Sequence, residues 1–514
     1  MKRLIALLLC LILILSLAAC GFSSGSAAEK NLMLSAHVDE DNVAALVCDS
    51  GKVLTIPDVK DALVTRDRNN LIWLSTDGIL NRVPFHAEKT DLSKSELIAE
   101  DVEELLALSN TGACFRNKDD ETFRFLFTDK SLIKFSKEVS TVVSNANTDL
   151  FYALNGKLYY LAHESENSES IGSFKGSVNL RPISEDTSEL IWIDCDDLAQ
   201  TDTVYYFNGT DNEKLFETEN HGYGSGVVVE KSPSGDYVAI YSYYDSHLLL
   251  RAPGKDFVMV DLKDEIEFNI YSKDSALSDT SSKIDGVYAA TSTDGYNTVY
   301  WVSFDGDREK VLSKVISFGV SQGFLYYLNE ENTLYKATAG GATIGEGERI
   351  ATEVDDFAVS NGYLYYMKDT EEKDDSYFIG SGTLYAYPPK ASAPVRVASD
   401  VYARYYSYYS WPDSVNNCLF IADDGKTVLY LKNPEEHDYF TYGSLYRYTS
   451  GAKEPERIMS DVLEYSIGGN TAKLHADRFT FARYIDEESS EEKDLYNWYF
   501  YNGKEAVCVA RNAS

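Results

Sequence analysis

Carboxylates repeated at matching points of the chain are the residues best placed to do chemistry. Glu330 and Glu331; Glu371, Glu372, Asp374 and Asp375; Glu435, Glu436 and Asp438; and Glu487, Glu488, Glu491 and Glu492 fall in the same slot of successive copies of a repeated phrase. If those loops share a face, Glu371, Glu372, Glu435, Glu436, Glu487 and Glu488 form an acidic arc. Carboxylate oxygens of this kind suit a hard cation such as Ca²⁺ and steer a basic partner. The competing reading is a set of ordinary solvated insertions. A second set is aromatic. Tyr402, Tyr405, Tyr406, Tyr408, Tyr409 and Trp411 crowd one stretch. Tyr405, Tyr408 and Trp411 are the ligand-binding candidates, because such rings stack on sugars and anchor protein interfaces. Alternatively, alternate rings of the stretch pack between neighbouring elements.

No catalytic residue is assigned. Gly222-Tyr-Gly-Ser-Gly226 is not a nucleophile elbow, since no glycine lies two places before Ser225. The seven histidines are scattered without metal-ligand spacing. No EF-hand or phosphate-cradling loop occurs. No cofactor is expected, Ca²⁺ on the acidic arc being the one candidate.

The elements that would position these residues are copies of one unit. Phe357-Ala-Val-Ser-Asn-Gly-Tyr-Leu-Tyr-Tyr-Met367 repeats Phe318-Gly-Val-Ser-Gln-Gly-Phe-Leu-Tyr-Tyr-Leu328, and Asn155-Gly-Lys-Leu-Tyr-Tyr-Leu161 is a third copy. A second phrase brackets the first: Arg349-Ile-Ala-Thr-Glu-Val354, Arg396-Val-Ala-Ser-Asp-Val401, Arg457-Ile-Met-Ser-Asp-Val462 and Leu97-Ile-Ala-Glu-Asp-Val102. The last copy decides residues 93–108, which alone would pass for an amphipathic helix; the repeat makes them strand, turn and strand.

One unit is written out between 354 and 401. Strands cover 356–360, 363–367, 383–387 and 395–398, and Asn361-Gly362 supplies a two-residue hairpin turn. Aromatic and β-branched residues dominate them. Four short antiparallel strands per roughly 40 residues make the blade of a β-propeller. Units end near Val59, Val102, Val139, Val178, Val315, Val354, Val401 and Val462, and the stretch from Val178 to Val315 holds about three degenerate ones, which gives roughly ten. The expected fold is therefore all-β, about ten four-stranded antiparallel blades, in two tandem propellers or one large ring.

Composition agrees. The formal charge is −35, from 82 acidic and 47 basic residues. Such a field repels nucleic acid, so none is expected as a partner. Cys48, Cys114, Cys195, Cys418 and Cys508 are widely spaced with no C-x-x-C, and read as small buried apolar residues. All 38 tyrosines follow residue 150. This shift suggests N-terminal propeller-like repeats over 31–270 and Tyr-rich C-terminal repeats over 271–514.

The start of the chain is an address. Lys2 and Arg3 precede an apolar run over 4–15, and Leu17-Ala-Ala-Cys20 closes it. The run is too short for a spanning helix. This resembles the lipobox of bacterial lipoproteins. The resemblance implies a signal peptide over 1–19 and a diacylglyceryl group on Cys20, with 20–30 as a flexible tether. It also implies a palmitate-type anchor to the outer face of the cytoplasmic membrane, in a Gram-positive-type cell. Lys231-Ser-Pro-Ser-Gly-Asp-Tyr-Val-Ala-Ile240 is similar to the TolB-type propeller repeat, with Ser234 where that repeat has aspartate. Ser292-Thr-Asp-Gly-Tyr-Asn-Thr-Val-Tyr-Trp301 is similar to a sialidase Asp-box with its glycine one place early. Residues 310–465 resemble uncharacterised propeller domains of clostridial surface lipoproteins, which implies a fold and no catalytic residues. The expected function is a non-enzymatic, lipid-anchored surface protein that binds or scaffolds a protein or polysaccharide. A propeller glycan hydrolase or lyase is the first alternative, and a TolB-like envelope assembly or sensor protein the second.

Overall fold

The computed structural model describes residues 33–513, apart from 39–40, 49–50, 87–88, 146–148, 164, 185–186, 221–225, 233–234, 243–246, 263–285, 294, 373–378, 409–410, 438–439, 469–473 and 486–495. The described residues fold almost wholly into antiparallel strands, with short 3₁₀ turns such as Leu92–Lys94 and Glu464–Ser466. Residues 93–108 are that turn followed by strands Glu96–Ala99 and Val102–Leu108, as the repeat required.

The strands of the described residues group into eleven units. Units 1 to 6 are separate sheets over 33–56, 59–99, 102–137, 141–173, 177–219 and 227–261. Units 7 to 11 begin at residues 286, 315, 356, 401 and 462. Units 7 and 8 share one sheet, because strand Arg308–Ser321 runs through their boundary, and units 9 to 11 share another, because strands Val395–Tyr408 and Glu456–Leu463 run through theirs, changing partner there. The residues after Val462 supply the eleventh unit, one more than the sequence phrase marks. In the complete units the strands pair in chain order. We call them inner, second, third and outer.

The boundary phrase has a conformational cause. The residue before each boundary valine is left-handed: Asp58, Asp101, Glu138, Lys314, Glu353, Asp400 and Asp461 all have φ between 54° and 58°. Asp is among the few L-residues that tolerate this region. The turn drives the next side chain inward, and Val59, Val102, Val139, Val315, Val354, Val401 and Val462 are all buried. Each stabilises the fold by about 1.5–3 kcal/mol on burial. The backbone of the valine also reaches back to the preceding unit: Val59 N–H donates to Asn42 O at 2.7 Å, Val102 to Gly78 O at 2.9 Å and Val354 to Asn332 O at 2.9 Å. Val178 departs from the pattern, being half-buried without a left-handed residue before it.

The Leu-Tyr-Tyr phrase is explained by cross-strand stacking. Tyr327 lies opposite Tyr335, Tyr366 opposite Tyr385 and Tyr430 opposite Tyr446, with ring centroids 5.3, 5.1 and 5.9 Å apart and planes within 14°. Trp192 and Tyr205 repeat the pair in unit 5 at 4.0 Å, and Phe481 and Tyr499 in unit 11 at 5.7 Å. Pairs of this kind contribute about 0.2–1 kcal/mol each. They fix register, because a one-residue slip would move every ring to the other face.

The apolar cores lie between units. The core clusters among the described residues span neighbouring units, from Leu46 with Trp73 between units 1 and 2 to Leu445 with Phe481 between units 10 and 11. The circuit then closes. Val47 of unit 1 packs against Phe500 and Val509 of unit 11, and Ala45 against Ala510 and Trp498. Of the two arrangements open from sequence, these contacts describe one ring of blades, larger than the about four to eight of most propellers. The fold is a β-propeller. Residue 270, the expected domain limit, lies outside the described residues, and the sheets flanking it share the cluster of Ala239, Leu250, Val287 and Val302.

Of the five cysteines, Cys48, Cys114, Cys195 and Cys418 are buried and Cys508 half-buried, and none is in a disulfide. Burial pushes the thiols of Cys114 and Cys418 up.

Candidate functional site

Antiparallel order puts the turns between second and third strands on one face of the ring, together with the unit boundaries. In most units these turns are short. In units 9 and 10 the strands run on. Tyr363–Glu372, Ile379–Tyr387 and Val395–Tyr408 have 10, 9 and 14 residues, and Thr427–His437 and Phe440–Thr449 have 11 and 10. Strand Trp411–Asn417 pairs with the far half of Val395–Tyr408. The result is a sheet and a neighbouring hairpin standing above one sector of the ring.

Matched backbone features make the extension. A left-handed residue, Asp369 (φ 55°) or Asn433 (φ 51°), sits in a bulge of each second strand. Opposite it, the third strand carries Gly382 or Gly443, and these two occupy the same place, facing Val401 and Val462 respectively. A Cβ on Gly382 would lie 2.9 Å from Lys368 O, and one on Gly443 would lie 2.9 Å from Lys432 O. Only glycine permits that approach.

The extensions collect most of the residues singled out in the sequence. Glu371 and Glu372 are exposed at the end of one long strand, paired with Ser381 and Gly380. Glu435 is exposed on the next, where its Oε2 accepts a hydrogen bond from Tyr442 Oη at 3.0 Å. Burial, then this bond, pushes the Tyr442 hydroxyl up to about 12. Glu436 continues the same strand, paired with Thr441. Glu487 and Glu488 lie outside the described residues, so the arc is seen in part. Among the described residues no group of three or more His, Cys, Asp or Glu side chains is gathered as for a metal ion. Glu330 sits in the short turn of unit 8 and pairs with Lys314 at 3.0 Å.

Tyr405 and Tyr408 lie on the strand Val395–Tyr408 and Trp411 opens the strand that returns along it. Their backbones are in register, Tyr405 with Val415 and Tyr408 with Trp411. At the base of this hairpin Tyr402 is buried and its hydroxyl donates to Thr441 Oγ1 at 3.4 Å, tying the sheet to the neighbouring hairpin. Burial raises its pKa. Arg404 Nη2 donates to both carboxylate oxygens of Glu464 in unit 11, at 3.1 and 2.9 Å. Arg483 reaches Asp461 at 3.1 Å, and Tyr442 and Tyr484 lie 5.5 Å apart. The extensions are therefore braced across three units. They present the carboxylates of Glu371, Glu372 and Glu435 to the outside, a set able to bind hydroxyl groups and cations.

Sequence reading placed the glutamates in loops and missed that the loops are strands. A signal existed: Tyr377-Phe-Ile-Gly-Ser-Gly-Thr-Leu-Tyr-Ala-Tyr387 and Tyr439-Phe-Thr-Tyr-Gly-Ser-Leu-Tyr-Arg-Tyr448 are copies of one another.

A second polar constellation lies between units 5 and 6. Arg251 donates from Nη1 to Glu189 Oε1 and to Tyr206 Oη, both at 2.6 Å, and the Tyr206 hydroxyl donates to Glu189. Burial, then the bond to Glu189, raises Tyr206 to about 12. Burial opposes the charge on Glu189, but the bonds from Arg251 and Tyr206 outweigh it and hold its pKa below the usual range. A tyrosine kept neutral this way is no nucleophile. The group is an interblade lock.

No family model matches the chain, and no curated protein matches it. Solved structures align with the chain at TM-scores below 0.5. The tricorn protease aligns at TM-score 0.33 and 11% identity over 94% of this chain, which spans 58% of that one. A eukaryotic initiation factor aligns at TM-score 0.37 and 8% identity over 82% of this chain and 95% of that one. BamB from Moraxella catarrhalis aligns at TM-score 0.26 and 11% identity over 60% and 93%. The propeller assignment rests on the blades themselves.

Proposed function

We propose that this is a non-enzymatic binding or scaffold protein, held at the outer face of the cytoplasmic membrane by a lipid on Cys20. We place its partner, a protein or a polysaccharide, on the extended strands of units 9 and 10. The observation that carries the reading is the extension itself. The strands run on well beyond the blade, are rooted in the neighbouring core by Ile379 and Tyr402, are braced by Arg404 and Glu464, and are built around two matched glycines.

The test uses those glycines. Gly382→Val and Gly443→Val force backbone apart at the root of each extension and touch the interblade clusters only at Met367 and Leu431. The soluble chain from residue 21 is screened on protein and glycan arrays, and hits are titrated. The double variant should keep its β-sheet circular dichroism and lose at least about tenfold in affinity, the effect of about 1.4 kcal/mol. Undiminished binding with a displaced extension would remove the partner from this surface.

A further inference from the structure

The chain enters the ring on the face opposite the extensions. The turn over 39–43 lies with the unit boundaries, because Val59 N–H donates to Asn42 O at 2.7 Å. Strand Met33–Val38 runs into that turn and pairs antiparallel with Ala44–Cys48. Val38 is thus at the boundary face and Met33 at the other. Strand Val59–Val64 packs beside Met33–Val38, runs the opposite way and leads into the turn over 65–69. The turn over 85–95 adjoins it, Phe85 N–H donating to Asn69 O at 2.8 Å.

These two turns are basic in a chain of charge −35. Arg66, Lys89 and Lys94 are exposed and Arg68 partly so. The described acids among them fold onto their own turns. Asp67 Oδ1 accepts from Thr65 Oγ1 at 2.6 Å and from Asn69 N–H at 3.1 Å. Asp91 Oδ1 accepts from Ser93 Oγ at 2.6 Å and from its N–H at 3.2 Å. Lys94 lies 3.5 Å from Asp91 with 77% of its side chain exposed. Across the ring the matching turns of units 5 to 7 expose Asp211, Asp236, Asp256 and Asp307 instead. The basic sector is therefore local, and it is where the chain enters.

We propose that this sector is the membrane-facing surface: Arg66, Arg68, Lys89 and Lys94 sit on anionic lipid headgroups, and the extensions of units 9 and 10 are held away from the bilayer. The inference rests on the Cys20 anchor of the proposed function. Residues 21–32 span at most about 40 Å fully extended. A blade strand is about 17–20 Å deep, and residues 402–408 of strand Val395–Tyr408 rise about 23 Å further. The tip of the extension is thus as far from Met33 as the tether is long, and only a fully stretched tether would bring it to the bilayer. Seating the basic sector stretches nothing. Charge acts the same way. The Debye length is about 10 Å at 0.1 M salt, less than the depth of a blade. Headgroups under the sector attract its cations, while Asp58, Asp77 and Asp101, exposed on the boundary face above, are screened. A basic patch beside a lipid adds a second membrane signal to the first.

The test imposes the anchor, so that failure of the orientation is separate from failure of the lipoprotein reading, which Cys20→Ser fractionation reads. The mature chain from residue 20 is coupled through Cys20 to a maleimide lipid, the described cysteines being buried or half-buried. The vesicles are phosphatidylglycerol with phosphatidylcholine and carry a nitroxide on the headgroup. A fluorescent amino acid replaces the exposed Ser93 or the exposed Glu371. Ser93 should be quenched and Glu371 should not. Arg66→Glu, Lys89→Glu and Lys94→Glu together should lower the ratio of seated to lifted protein at Ser93 at least about fivefold, the worth of one basic residue near an anionic surface. Vesicles of phosphatidylcholine alone should do the same. Equal quenching at the two positions, or quenching at Ser93 that survives the triple reversal undiminished, overturns the proposal.

Discussion

Glu189→Ala should cost about 3–5 kcal/mol of stability, the penalty for leaving a buried cation without its partner. Arg251 is 8% exposed and is enclosed by Tyr206, Phe257 and the backbone of Gly235, with Glu189 as its counter-charge. Removing the carboxylate leaves the guanidinium between units 5 and 6 with one phenol and one carbonyl as acceptors. It also strips the Tyr206 hydroxyl of its acceptor. The effect should be read as a lower urea midpoint of unfolding. Glu189→Ala combined with Arg251→Met should recover most of the loss, because a buried pair exchanged for apolar side chains is often neutral. A single variant within about 1 kcal/mol of wild type, the scale of a surface pair, would show that the lock is solvated and that the interface is held by its apolar cluster alone.

Cys20→Ser should be the other large change, because it is all-or-none. On the lipoprotein reading the thiol carries the diacylglyceryl group, and a serine cannot form the thioether. Two or more acyl chains hold a protein on a bilayer where one does not. No helix among the described residues is long and apolar enough to cross a membrane. The variant should therefore leave the membrane fraction, or accumulate as an unprocessed precursor. Fractionation with labelled palmitate reads both. Label and attachment that persist in Cys20→Ser would remove the anchor from the account.

Much of the blade was legible because it is local. Asn361-Gly362 requires positive φ at two positions, and the turn has φ of 48° and 77°. The boundary phrase was legible as a phrase, while its cause, a left-handed Asp or Glu before a buried valine, appears only in the backbone. The extensions were not legible from propensity. Residues 369–382 and 433–443 are rich in charge, glycine and tyrosine, and charged stretches between strands read as loops. What makes the described residues among them strands is the ladder that each finds in its neighbour, Glu371 with Ser381 and Ser381 with Tyr402. Ring closure was out of reach for a different reason. The meeting of Val47 with Phe500 joins residues 453 positions apart, and no repeat in the sequence encodes which unit follows the last.

The central claim is that the partner sits on the extended face. A photo-crosslinking amino acid placed at Tyr405, Tyr408 or Glu435, and separately at the exposed Lys390 in a turn on the opposite face, tests it most directly in cells producing the full-length protein. The account predicts a discrete adduct from the first three positions and none from Lys390, with the adduct lost in the Gly382→Val, Gly443→Val background. Adducts from Lys390 alone, or equally from all four positions, would contradict it.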